Sequence, residues 1–464
     1  MSPSLALLLW LILLLGLLYF DPARDRLTSV ALWVPVTWLF IVGSRLPSQW
    51  LGIQVGQAAQ ALEEGSPVDS AIYSALILLA IGILMSRCFE WRIFFSRNLA
   101  LVAFLSFALL SICWSDFPLV TFKRWFRDLG NYLVILVALS DPRPLEAVRT
   151  LLRRFCYVLI PLSVLLVKYY PEIGRRYDVW TGVAEYTGAT MSKNMLGVLC
   201  LTSGIFFFWD VVTRWPERRT RRTKRIILVD VVFIAMTLYL LNMSSSATSS
   251  LCLVLGCLVI VATSSKMVKR HPTLLTVLIP IGICLNLVLV FGVGMDINAE
   301  LAGAVGRDPT LTGRTVIWSA ILSTHTNPLF GAGYETFWLG PRLQQVWRQT
   351  GSGINEAHNG YLEVYLNLGI FGAVILAGFL ISSYRSICRR LETFPALGSL
   401  SLSLWTILPF YNVTEAAFKG QLIFVTFLLG AIIVPPTPGV RGISFNDTSS
   451  LAKPSSDLRE AVSV

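Results

Sequence analysis

Charge is what this chain has least of. Only 14% of its 464 residues are Asp, Glu, Lys or Arg, against about 25% in soluble domains, which excludes an ordinary water-soluble enzyme. Histidine occurs three times, at His271, His325 and His358, and no C-x-x-C, D-x-D or E-x-D motif is present. A thiolate metal centre and an acidic metal-binding pair are therefore not expected, and no metal or cofactor is assigned. The eight cysteines, Cys88, Cys113, Cys156, Cys200, Cys252, Cys257, Cys284 and Cys388, lie in or beside apolar runs and are expected to pack in the core rather than to form disulfides. Residues 5–20 lack a basic leader and a small-residue cleavage site, so they read as a span and not as a signal peptide.

Apolar sequence is what remains. With 55% hydrophobic residues and a mean hydropathy of +0.66, and about 20 apolar residues needed per span, the chain reads as all-α, a polytopic transmembrane bundle of 12–13 spans. The windows lie near 4–20, 27–43, 71–85, 99–114, 129–140, 155–168, 195–213, 226–243, 249–264, 273–295, 361–383, 396–411 and 420–434. Residues 435–464 are rich in Pro and Ser and are expected to be a disordered tail.

The connecting segments alternate in charge. One set carries 25 Lys and Arg against 10 Asp and Glu; the other carries 13 against 15, with Asp210 and Asp230 inside spans and without an obvious partner. Positive charge gathers on the cytoplasmic side of membrane proteins, which places the first set inside. The same rule explains the net charge of +11 and the run Arg218 to Arg225 as topology, with no nucleic-acid partner. The outer side then owns 44–70, 115–128, 169–194 and a loop of 65 residues, 296–360. A loop of that length is expected to be functional.

Within that loop the spacing predicts two helices, one from Gly313 through Trp318 to Leu322 and one from Pro341 through Val346 and Trp347. Trp and Arg together on the second suit a membrane interface. Gly331 and Gly333 read as a tight turn. His358-Asn359 stand at the start of the span 361–383, where a neutral imidazole can accept a hydroxyl proton near pH 7.

These residues carry a resemblance. His358-Asn359 followed by Gly369 and Gly372, preceded by Gly313-Arg314-x3-Trp318 and Pro328-Leu329-Phe330-Gly331-x-Gly333, resembles the O-antigen ligase and polymerase family in order and spacing. Lys193-Asn194-Met195-Leu196-Gly197 is similar to that family's K-N-x-L-G segment. The resemblance covers roughly 100–435. It implies a metal-independent, inverting glycosyltransferase on the outer face of the bacterial cytoplasmic membrane. The donor would be an undecaprenyl-diphosphate-linked glycan and the acceptor a sugar hydroxyl on a glycan or glycolipid. His358 resembles the catalytic histidine and Arg314 a diphosphate-binding arginine, with Lys193 a weaker match.

Arg124, Arg175 and Arg176 are further candidates, because cations persist there on a face that topology depletes of them; Asn359 joins them as a substrate-binding candidate. The stretch Met243 to Ser249 lacks the arginine many ligases carry at the corresponding place, which leaves ligation and polymerisation both open. The alternative class is a lipid-linked glycan transporter, which would need charged groups lining a midplane cavity.

Overall fold

The computed structural model describes residues 2–21, 28–53, 65–177, 182–265, 273–288, 312–350 and 353–434, without the side chains of 273–276, 287 and 312–316. The tail after 434, Arg307, His271 and the Arg314 side chain lie outside the described residues. Helices dominate: α1 (Pro3–Phe20), α2 (Trp33–Val42), α3 (Pro47–Trp50), α4 (Pro67–Ser86), α5 (Trp91–Arg97), α6 (Leu99–Leu110), α7 (Pro118–Leu139), α8 (Pro144–Tyr169) and α9 (Pro171–Gly174). A short antiparallel pair follows, β1 (Arg175–Tyr177) with β2 (Ala184–Tyr186), in which Arg176 faces Glu185 in register. Then come α10 (Lys193–Arg214), α11 (Arg221–Ser244), α12 (Ala247–Ser264), α13 (Thr273–Leu287), α14 (Thr312–Leu322), α15 (Gly340–Thr350), α16 (Gly360–Thr393), α17 (Pro395–Thr414) and α18 (Leu422–Ala431).

Within the described residues each of the thirteen apolar windows overlaps a helix, while 27 and 289–295 lie outside them. Among the described residues, seven helices are long and apolar enough to cross a membrane, or eight if α5 and α6, bent by 92° at Asn98, act as one span. The bend is stitched in place: Asn98 Nδ2 donates to Phe94 O and Ile433 O, and Asn98 Oδ1 accepts from Ile433 N. The remaining windows fall on helices that are shorter, such as α2 and α18, or more polar, such as α7 and α17. The apolar windows of α8 and α10 are 78% buried and that of α1 only 6%, so α8 and α10 form the centre and α1 is peripheral.

Segments assigned by charge to opposite sides meet at opposite helix ends. At one end Arg87 pairs with Asp141 at 3.3 Å, and Arg390 donates to the carbonyls of Leu429, Gly430 and Ile432. The other end gathers Ser48 on Asp69 at 2.6 Å and Arg342 on Asp116 at 2.5 Å.

Two expectations need correction. Asp210 and Asp230 do have a partner: Arg153 of α8, 3% exposed, pairs with Asp230 at 2.6 Å and with Asp210, and Asp210 also meets Arg149 at 3.0 Å and Arg214 at 2.8 Å. Each buried carboxylate thus faces guanidinium, which a charge removed from water requires. The cysteines are not uniformly core residues either. Cys156, Cys200 and Cys252 are buried, but Cys88, Cys113 and Cys284 are exposed at turns or on the apolar exterior.

The glycines of the outer-loop motifs are explained by a single crossing. The 328–333 segment lies against the break in α16, with Ala332 N on Leu366 O and Gly333 N on Asn367 O, while Ile370 N donates to Pro328 O and Phe371 N to Leu329 O. Gly331 and Gly369 have φ of 70° and 65°, and a Cβ on either would overlap the backbone of the opposing segment. Only glycine satisfies both demands. Close approach, beyond a tight turn, is what the motif encodes.

Candidate active site

The segment between α13 and α16 builds a small core of its own from Ala320, Ile321, Phe337, Trp338, Leu343, Val346 and Ala357. Its tryptophans serve as struts. Trp318 Nε1 donates to Ala357 O at 2.9 Å, Trp347 Nε1 to Ile354 O at 2.6 Å, and Trp338 Nε1 to Glu363 Oε1 at 2.8 Å. Glu363 Oε2 in turn accepts from Ala357 N at 3.0 Å. The stretch leading into His358 is therefore held from both sides.

His358 itself has φ of 47°, a left-handed conformation uncommon for non-glycine residues and concentrated at functional sites. Asn359 follows as the N-cap of α16. Its Oδ1 accepts from Tyr361 N and Leu362 N, both at 3.0 Å, and the residue is 1% exposed. Its carbonyl-side oxygen is thus committed to starting the helix, the usual work of an N-cap asparagine.

Two carboxylates stand beside the imidazole. Nδ1 lies 3.2 Å from Glu356 Oε1 and 3.6 Å from Glu415 Oε2. Glu415 sits just after α17 and its other oxygen accepts from Asn194 Nδ2 at 2.9 Å. Lys419 Nζ lies 3.8 Å from Glu356 Oε2 and 3.7 Å from Glu363 Oε1. Burial opposes the charge on Lys419, but Glu363, Glu335 and Glu356 outweigh it and hold the ammonium above its ordinary range. Glu356, His358 and Glu415 offer ligand atoms within 4.8 Å of one another, a grouping that could hold a metal ion. No short sequence motif announced this group, because Glu415 is far from the other two in sequence. Lys419 already meets part of its negative charge.

Beside Lys419 opens a cavity of about 460 Å³, walled by α4, the first half of α7 and the loop. Lys123, Arg124, Arg127 and Lys419 bring cations to it, Glu335 and Glu363 carboxylates, and Val120, Phe122 and Phe126 apolar surface. A second cavity of about 300 Å³ shares Arg127, Glu335 and Lys419 with the first and adds Arg45. Arg124 donates through Nη1 to Glu335 O. Glu335 has φ of 59°, and burial, with Asp128 and Glu363 adding to it against Lys419 and Arg124, raises its carboxyl above the usual range.

Of the residues singled out in the sequence, the structure brings His358, Asn359 and Arg124 into this region, Arg124 through Glu335 and Lys419. Lys193 begins α10 next to Asn194, but its ammonium pairs with Glu185 at 2.7 Å and is 45% exposed. Arg175 donates to Val167 O at 2.9 Å and lies over the Tyr186 ring; Arg176 is exposed on β1. Among the described contacts neither reaches His358. Arg314 belongs to α14, with its side chain outside the described residues.

The sequence reading missed Glu356, Glu415, Glu335 and Lys419. The available signal was the brief polar turn Glu415-Ala416-Ala417-Phe418-Lys419-Gly420 between two apolar runs, where ionisable residues have no solvation reason to cluster.

Comparison with known proteins bears on what this geometry serves. Residues 231–377, which include α14, the loop core and His358, match the O-antigen ligase family. The chain is also 26% identical over 311 residues to the exopolysaccharide production protein ExoQ of Rhizobium meliloti (strain 1021), a match covering 64% of this chain and 67% of that protein. The apolar helices make this a multi-pass membrane protein.

Proposed function

We propose that the protein joins glycans at the outer face of the bacterial cytoplasmic membrane, taking its donor from undecaprenyl diphosphate and using a sugar hydroxyl as acceptor. The observation that carries the reading is the pairing of a carboxylate-flanked histidine, His358, with an adjoining cation-bearing cavity at the loop-bearing end of the bundle. His358 takes the acceptor's hydroxyl proton as its oxygen attacks the anomeric carbon. The bond from that carbon to the diphosphate oxygen breaks, and the electron pair leaves with the diphosphate. Attack opposite the leaving group inverts the anomeric centre.

Diphosphate departs without assistance from a metal if its charge is met by guanidinium and ammonium groups. Arg124 and Lys419 at the cavity, with Arg314 from α14, supply that charge in this reading, and Lys193, Arg175 and Arg176 lie where the glycan or headgroup would extend. Asn359 sets the position of His358 at the helix start. The relative ExoQ is an exopolysaccharide production protein, which favours polymer assembly as the setting.

The test uses purified protein in detergent with an undecaprenyl diphosphate–linked repeat and an acceptor glycan. His358→Ala is expected to lose about 10² to 10⁴ in rate, and His358→Gln, which keeps volume without basicity, to be as inactive. His325→Ala, exposed in the same loop, should be mild. Wild type that moves the lipid across vesicles without forming a glycosidic bond would sink the enzyme reading in favour of a transporter.

A further inference from the structure

Resting on that reading, we propose that the smaller cavity, of about 300 Å³, is a saccharide subsite. It holds one sugar ring of the donor or acceptor glycan, beside the larger cavity that takes the diphosphate. A cavity of about 150 Å³ is enough for one six-membered carbon ring, so this one has room for a sugar ring and its exocyclic oxygens. Its walls include Trp38 of α2, Tyr73 of α4, Asp128 and Asn131 of α7, and Gly420 and Gln421 of the turn before α18.

Buried polar groups in these walls are left to bind something. Asn131 is 3% exposed, and its Oδ1 accepts from Trp38 Nε1 at 2.7 Å. An indole nitrogen can only donate, so this bond fixes the amide and turns Nδ2 away from the indole. Among the described hydrogen bonds Nδ2 has no partner, and neither has the hydroxyl of Tyr73, a residue 8% exposed that stands edge-on to Trp38. Gly420 keeps this region open. A Cβ there would come within 2.6 Å of Asp128 Oδ1 and 3.0 Å of Asn131 Nδ2, and Gly420 is not among the residues of positive φ. Room in front of two polar groups is what this glycine supplies.

The lining suits a sugar better than a phosphate. A hydroxyl both donates and accepts, so a sugar site needs both kinds of group. Asn131 Nδ2 donates, while Tyr73 and Gln421 can do both. Asp128 accepts from Tyr334 Oη at 2.9 Å and from Arg127 Nε at 3.2 Å, one bond to each oxygen, which leaves lone pairs on both. An ionised diphosphate only accepts, and the Asp128 carboxylate disfavours it. Lys123 and Arg124 line the larger cavity and not this one, which places the phosphates there. Trp38, Tyr73 and Ile41 offer apolar surface to the C–H face of the ring. Arg127 and Lys419 line both cavities, so a sugar in one lies next to a diphosphate in the other.

The experiment measures binding to the purified full chain in detergent with two probes, the repeat oligosaccharide freed of its lipid and undecaprenyl diphosphate without sugar. Gly420→Ala obstructs two polar groups and should weaken the oligosaccharide about tenfold or more; Tyr73→Phe and Gln421→Ala should each cost about three- to tenfold, the worth of one hydrogen bond. Affinity for undecaprenyl diphosphate should stay near wild type in all three. In turnover the same variants should raise KM for the donor if its sugar sits here, or for the acceptor if the acceptor's does; either result supports the subsite and names its occupant. Tyr73→Phe removes a single oxygen and carries the test if Gly420→Ala does not fold. Unchanged oligosaccharide affinity in Tyr73→Phe and Gln421→Ala, with wild type forming product, would overturn the subsite and leave the enzyme reading standing. An equal loss of affinity for undecaprenyl diphosphate would also overturn it, since the cavity would then hold phosphate. Wild type that binds the oligosaccharide through these residues yet forms no glycosidic bond would keep the sugar site and remove the enzyme reading.

Discussion

Asn194 and Glu415 are 221 residues apart in the chain and 2.9 Å apart in space. That contact ties the start of α10 to the end of α17 directly beside His358. The site is thus built where helix ends converge, and its polar groups are borrowed from several connections.

The donor role assigned to guanidinium can be read from paired substitutions. Arg124→Ala and Arg314→Ala should each lose donor affinity by about 1.5–3 kcal/mol, the usual worth of a charged hydrogen bond. Lysine at either place should restore part of it, because a point charge replaces some of a bidentate fork. Normal turnover at limiting donor in Arg314→Ala would move the phosphate role to Arg124 and Lys419 alone.

Metal removal gives an independent check. EDTA should leave wild-type turnover unchanged. Strong inhibition reversed by added Mg²⁺ would instead assign the Glu356, His358 and Glu415 grouping to a bound cation and displace His358 as a proton acceptor.

The crossing of the loop and α16 predicts a contrast within one helix. Gly369→Ala forces a side chain into left-handed backbone and into the Leu329 backbone, and should cost at least about 1–3 kcal/mol. Gly378→Ala, nine residues on with open space around it, should be neutral or stabilising by roughly 0.5–1 kcal/mol. Thermal unfolding in detergent measures both. Equal melting of the two variants would remove the close-approach explanation.

Glu335 predicts a pH-dependent stability difference. Its carboxyl is raised in the folded protein, so the folded state binds the proton more tightly than the unfolded one. Stability is therefore lost as pH rises from the ordinary glutamate range, about 4.3, through the raised value. Glu335→Gln escapes that loss, so it should melt above wild type at pH 8 and converge with it near pH 4. A difference that stays constant across that range would contradict the burial argument.

Orientation is tested by labelling in intact cells, in a background where Cys88, Cys113 and Cys284 are serine. Cysteines at 180 and 350 should react from outside and one at 221 should not. The reverse pattern would invert the topology.

Much of this was legible from the amino acids alone. Hydropathy located the helices, because burying apolar residues in lipid needs no long-range information. His358 was legible through its motif and its place at a span's start. Glu415 and Lys419 were not, because a charged residue in a short turn has the same local pattern whether it meets water or a partner 221 residues away. The glycines were seen but read as a turn, since sequence spacing does not reveal which other backbone will press against them. Asp210 and Asp230 were seen as unpaired for a similar reason: Arg153 was counted with a cytoplasmic loop, whereas it lies within α8.

Arg153 also constrains how the protein is made. It sits on a helix synthesised before α10 and α11, which carry Asp210 and Asp230. Until those helices are made, α8 carries an arginine whose two carboxylate partners are still absent, a charge that a membrane segment tolerates poorly. Ribosomes stalled before residue 210 should leave α8 shallow or exposed to inside reagents, and those stalled after 230 should not.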